Sequence, residues 1–208
     1  MLLDKANPTK QGPLIAELRR RSLSYQNTAH DLVAHEENRP AAVFATVVLP
    51  HWEAPLEMAK LLFIKRSEGL RRHAGQVGFP GGVMEAQDPT LLDAGYRESM
   101  EEVGLKPESV EVLCPLPAAE VPSGFHLYPY FVATDQQEFV AQPTEVDAIH
   151  QVALSDLLSC PFRLEHKEWR GKTYRVVYFD LEELCVWGVT GRIVEYLLET
   201  FFDWKAPH

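Results

Sequence analysis

The segment DPTLLDAGYRESMEEVGL, residues 88–105, limits the chain's possible folds more than any other. Asp88 is placed as an N-cap, Pro89 suits a first helical position, and Gly104 stands where a helix would end, so both boundaries are marked. Leu92, Gly95, Tyr96, Ser99 and Val103 recur at three- and four-residue spacing and form the stripe that must be covered. The centre of that stripe is small. A mid-helix glycine costs about 1 kcal/mol relative to alanine, so Gly95 implies a close approach between this helix and a sheet beneath it.

Glu98, Glu101 and Glu102 stand at i, i+3 and i+4 and project within an arc of roughly 100°, able to reach one point. Like charges at that spacing repel by about 0.2 to 0.5 kcal/mol per pair, and acids are disfavoured in the last turns of a helix. A divalent cation compensates directly, because Mg²⁺ takes carboxylate oxygens, water and substrate phosphates as ligands. The plainer alternative is a solvated acidic face with Arg97 as partner. Upstream, RRHAGQVGFPGG gathers Gly69, Gly75, Gly78, Gly81 and Gly82 with Arg71, Arg72 and His73 in one loop. Glycines let backbone approach a ligand, and arginines donate to phosphate oxygens. A cationic loop beside an acidic metal site suits a metal-bound phosphoanhydride. Asp88 and Glu85 read as a helix cap and a loop brace.

The 208 residues, 46% hydrophobic and 24% charged, fit one globular domain and exclude a collagen, a disordered tail or a disulfide-stapled scaffold. A formal charge of −10 argues against sequence-independent binding to nucleic acid or to an acidic membrane surface. Cys114, Cys160 and Cys185 are odd in number and unpaired by spacing, which suits a reducing compartment. With no signal-like start and no long apolar run, the expectation is a cytoplasmic, unanchored protein. Residues 1–40 read as an extension with one helix over Pro13–Leu23, and residues 41–204 as the functional domain. AAVFATVVL and KLLFIKR read as two strands that pair. Further strands are expected near Val110–Leu116, Phe125–Ala133, Val146–Leu154, Leu164–Trp169 and Tyr174–Asp180, with a last helix over Val189–Phe202. Strands in runs with single helices between them give an α/β fold of the α+β type, a mixed sheet rather than a doubly wound one.

From Gly82 to Leu105, ending RESMEEVGL, the chain resembles the box of the Nudix hydrolases, matching at Arg97, Glu98, Glu101, Glu102, Gly104 and Leu105. It departs at Ser99, where the family has an aliphatic residue, in using Asp88 as the spacer acid, and in a Gly82-to-Arg97 gap one residue longer. Immediately upstream, LFIKRSEGLRRHAGQVGFPGG resembles the coenzyme A pyrophosphatase branch, with Arg66, Ser67, Arg71, Gly75 and Phe79-Pro80-Gly81-Gly82 in register. LPAAEVPSGFHLYPY and VWGVTGRI are looser matches, and the likeness runs from about Phe44 to Leu198.

The resemblance implies a mixed β-sheet sandwiched between helices. It also implies a Mg²⁺- or Mn²⁺-dependent hydrolase of coenzyme A or its derivatives, giving 3′,5′-ADP and (acyl-)4′-phosphopantetheine. Glu98, Glu101 and Glu102 are then the metal ligands, with the Gly81 carbonyl a further one. Glu101, Glu102 and Glu145 are the catalytic candidates, Glu145 as either a metal ligand or the base, with Glu120 the alternative to it. Arg66, Arg71, Arg72 and His73 are the substrate-binding candidates, Arg71 foremost. Phe125, Tyr128, Tyr130 and Trp187 read either as core or as lining for an adenine or pantetheine group. Hydrolysis of another dinucleotide such as ADP-ribose or NADH, and a catalytically silent nucleotide-binding module, remain as alternatives. The partner expected is a small molecule, with no nucleic acid and no membrane; a homodimer is left open.

Overall fold

The computed structural model describes residues 12–23, 39–121, 125–169 and 171–207. In chain order the elements are α1 (Pro13–Leu23), β1 (Arg39–Val48), β2 (Lys60–Arg66), β3 (Val77–Gly78), β4 (Gly81–Val83), α2 (Leu91–Val103), β5 (Val110–Pro115), β6 (Ala119–Val121) and β7 (Phe125–Thr134). There follow β8 (Val146–Ala153), α3 (Leu154–Ser159), β9 (Phe162–Trp169), β10 (Lys172–Asp180), β11 (Cys185–Trp187) and α4 (Gly188–Phe201). Short 3-10 turns occupy Leu56–Met58 and Pro107–Ser109. No helix among the described residues is long and apolar enough to cross a membrane.

β1 organises the larger sheet. It runs parallel to β7 along its whole length, from Arg39 opposite Phe125 to Val48 opposite Thr134. Its other edge is shared antiparallel by β4 at the start, with Val43 opposite Gly81, and β2 at the end, with Val47 opposite Leu61. β5 and β6 pair with β7, and β8 and β3 with β2, all antiparallel. β9, β10 and β11 form a separate antiparallel sheet. The expected pairing of the first two strands is therefore confined to their ends, because β4 takes the rest of that edge.

A strand covered on both faces reads as a continuous apolar run instead of an alternating one, and RPAAVFATVV is such a run, buried from Ala41 onward. Val43, Ala45 and Val47 enter the larger core with Phe63, Phe131, Val194 and Leu197. Phe44 and Val48 enter the second with Leu62, Ile64, Val103 and Val132, beneath α2. α1 packs into the first core through Ile15 and Leu18. It is fastened by an Arg19–Glu111 ion pair of 2.7 Å and by Arg21 donating to the Phe201 carbonyl at 3.0 Å. The mixed α+β fold matches the sequence reading; α3 and the short strands β3, β4, β6 and β11 were not anticipated.

α2 starts two residues later than its cap signals suggest. Thr90, not Asp88, is the N-cap: its hydroxyl accepts from the Asp93 N–H at 3.2 Å and donates to the Asp93 carboxylate at 2.6 Å. Gly104, at φ 68°, ends the helix in the left-handed conformation. The close approach inferred from Gly95 is present, since a Cβ there would overlap the Phe44 ring. Ser99 is fully buried, and its hydroxyl has no hydrogen-bond partner.

Opposite effects follow from neighbouring substitutions on this face. Gly95→Ala should destabilise by about 1–3 kcal/mol through overpacking against Phe44. Ser99→Ala should raise stability by about 1 kcal/mol by removing an unsatisfied buried hydroxyl. Urea titrations of both variants measure the two signs, and a Gly95→Ala protein as stable as the parent would contradict the close contact.

Candidate active site

Glu98 and Glu102 project from α2, and Glu145 lies in the turn that leads into β8. One carboxylate oxygen from each falls within 4.8 Å of the others. Glu102 is 1% exposed. Its Oε2 accepts the Gly81 N–H at 2.8 Å, and Oε1 lies 3.4 Å from Arg66 Nη1. Burial raises its pKa to about 8, against the pull of the Gly81 N–H and Arg66 and with the push of Glu98 and Glu145. Burial also raises Glu98, and Arg97 opposes that shift. The sharp strand β4 makes this possible. Gly81 has φ +143°, and a Cβ on it would strike the Ala42 carbonyl; a Cβ on Gly82 would overlap the Glu98 carboxylate. Gly82, expected to let backbone approach a phosphate, thus admits the Glu98 carboxylate, and Gly81 admits the β1 backbone.

Arg97 braces the group. Its Nε and Nη2 form a fork on Asp88 at 3.0 Å each, Nη2 also donates to the Val83 carbonyl, and Nη1 donates to Glu98 Oε1 at 2.9 Å. Asp88, held below the usual carboxylate range by this guanidinium, also accepts the Glu85 N–H at 2.8 Å. It is a clamp on the α2 approach, which corrects its expected role as a cap.

Of the three helix acids expected to converge, Glu98 and Glu102 come together. Glu145 makes the third member, while Glu101, its side chain 59% exposed, lies 3.3 Å from Arg97. Helical rotation explains the difference: Glu102 falls about 40° from Glu98 around the axis, and Glu101 about 60° to the other side.

Of the proposed substrate-binding residues, Arg66 touches the acidic group, with its Nε buried and unpartnered. It sits at a bulge in the β2–β8 register, and its backbone closes the following loop through Arg66 N–H to Gln76 O and Gly75 N–H to Arg66 O. Arg71, Arg72 and His73 are exposed on that loop. The Arg72 guanidinium lies 5.8 Å from the Phe125 ring centroid, and His73 holds a left-handed φ of 56° with Nδ1 2.8 Å from Gln76 Oε1. Tyr128 and Tyr130 belong to the packing around α2. Trp187 is partly exposed and stacked on Tyr178. The Glu120 side chain lies outside the described residues. Sequence reasoning missed the Thr90 cap, although Thr-x-x-Asp is a capping-box signal, and it missed the steric reason for Gly82.

The NUDIX domain model matches residues 46–177. An uncharacterized Nudix hydrolase NudL of Citrobacter koseri is 37% identical over 142 residues, covering 66% of this chain and 72% of that one. Its namesake in Klebsiella pneumoniae subsp. pneumoniae is 35% identical over 158 residues, covering 74% and 80%. Among solved structures, the NUDIX domain of Shewanella oneidensis NrtR complexed with ADP ribose is 20% identical, with a TM-score of 0.48, covering 66% of this chain and 87% of that one.

Glu102 gives the acidic group a pH signature. Its folded pKa of about 8 stands above the ordinary 4.5, so the stability it contributes is present below pH 4.5 and is lost as pH rises through 8. In chelator, thermal midpoints of the parent should fall over that window, and Glu102→Gln should remove that component of the fall. Identical pH profiles for parent and variant would refute the assignment.

Proposed function

The chain belongs to the Nudix family, and on that premise we propose that it hydrolyses the diphosphate of coenzyme A and its derivatives, releasing 3′,5′-ADP and (acyl-)4′-phosphopantetheine. As a Nudix hydrolase it acts on nucleoside diphosphate-linked substrates. The observation that carries the reaction type is the group of Glu98, Glu102 and Glu145, in which a nearly inaccessible carboxylate is placed beside two others. Such a group is costly without a cation, and its all-oxygen donors suit Mg²⁺ or Mn²⁺. The coenzyme A assignment rests on the Arg66-to-Gly82 signature, whose first arginine reaches that group.

Glu98, Glu102 and Glu145 would hold the cation, with the Gly81 carbonyl beside them; when bound, it neutralises the diphosphate and acidifies an attacking water. The chain supplies the rest. The Gly81 N–H orients Glu102, Arg97 orients Glu98, and the unpartnered Arg66 Nε is a donor for a phosphate oxygen. Glu145, the most exposed of the three, is the group suited to accept a proton from water. Glu101 stands at the rim as a second acid. Arg71 and Arg72 offer positive charge, and His73 a ring nitrogen, to a further phosphate, such as the 3′-phosphate of coenzyme A. The catalytic unit so read is residues 41–204, and the three free cysteines suit a cytoplasmic setting.

Purified protein with Mg²⁺ or Mn²⁺ should cleave coenzyme A and acetyl-CoA faster than dephospho-CoA, ADP-ribose, NADH or nucleoside triphosphates, and chelation should abolish turnover. Equal cleavage of dephospho-CoA or ADP-ribose would overturn the coenzyme A reading while leaving the hydrolase. Glu102→Gln should lower kcat by at least about a hundredfold; retained activity would remove the acidic group from the chemistry.

A further inference from the structure

We propose that Gln136 is a positioning residue for the acidic group, acting through Glu145 by pinning residues 136–145 to the end of α2. The proposal rests on the reading above that Glu145 completes the cation site. An α-helix leaves its last carbonyls without helical partners. At the end of α2, the Ser99 and Met100 carbonyls are taken locally, by the N–H groups of Leu105 and Gly104. The next acceptors go elsewhere. Glu102 O accepts the Gln142 N–H at 2.9 Å, Val103 O accepts the Val140 N–H at 3.0 Å, and Gly104 O accepts Gln136 Nε2 at 2.8 Å.

The segment carrying Glu145 therefore runs back along the helix end and takes its register from three successive carbonyls. Two of its donors are backbone; Gln136 is the side chain in the set. The second Gln136 Nε2 hydrogen reaches Glu138 O at 2.7 Å, and Oε1 accepts the Lys106 N–H at 3.0 Å and the Ser109 hydroxyl at 3.3 Å. Each donor and acceptor of this amide is thus spent on joining the exit of α2 to the start of the loop.

The register continues to the acid. Glu145 N–H and Val146 N–H both donate to Gln142 O, at 3.0 and 2.8 Å, and Glu145 O accepts the Ser67 N–H at 2.9 Å. The exposed Glu145 side chain is consequently aimed by its backbone, and that backbone is measured off from the same helix that carries Glu98 and Glu102.

Gln136→Leu keeps the side-chain bulk and removes these bonds. It should lower kcat about tenfold and weaken Mn²⁺ binding, read by electron paramagnetic resonance, by a similar factor, while KM for coenzyme A stays within about twofold. Introduced into Glu145→Gln, it should cost nothing further in kcat, because the two changes act on one group. If Gln136→Leu does not fold, Gln136→Met is measured in the same way. A lowered thermal midpoint with unchanged kcat and Mn²⁺ affinity would show a structural role only and overturn the proposal, as would losses that multiply in the double variant. Should Glu145→Gln itself leave kcat and Mn²⁺ affinity intact, the cation-site reading fails; should it cripple both while Gln136→Leu does not, only the positioning role fails.

Discussion

The close seating of α2 on the sheet is the contact from which the site follows. Gly95 lets the helix descend onto Phe44, and Gly82 lets the Glu98 carboxylate occupy space that any other residue would fill. A helix held further out would leave Glu102 in solvent, where it would be an ordinary surface acid. At its actual depth Glu102 is shielded from water and receives the Gly81 N–H. Depth therefore converts a common acidic helix face into a group with unusual chemistry.

That depth creates an electrostatic problem, and the fold answers it with cations of its own. Arg97 spreads its donors over Asp88, Glu98 and the Val83 carbonyl, and Arg66 stands by Glu102. Neither neutralises the whole group. Removing water from charges costs more than a single imperfect pair returns, and the burial-raised pKa values of Glu98 and Glu102 express the remainder. A hard divalent ion is the partner such an arrangement lacks in protein groups alone.

Periodicity and caps make the helices legible in the sequence: Pro13–Leu23 has the expected bounds, and α4 begins and ends one residue early. Long apolar strands are legible for the same reason, whereas β3 and β4 are too short to carry a pattern. The acids on α2 are visible from spacing, but spacing alone cannot say that Glu101 points to the exposed side, because the side of the helix that faces β4 depends on tertiary packing. Glu145 is legible only through the family resemblance, not through spacing. It comes from a turn far along the chain, and the backbone bonds that aim it have no side-chain signature apart from Gln136.

The parallel pairing of β1 with β7 has a kinetic consequence. The two strands are far apart in sequence, so closing the chain between them is a slow, entropically expensive event. α2 can form early from local contacts, but Phe44 on β1 and the β4 strand that provides Gly81 are fixed only when the sheet assembles around β1. A nascent chain accordingly displays its helix acids as separate, hydrated charges with little hold on a cation. On the proposed reading of these acids as a cation site, the grip develops at the end of folding, so an ion retained under dilute conditions reports a completed sheet.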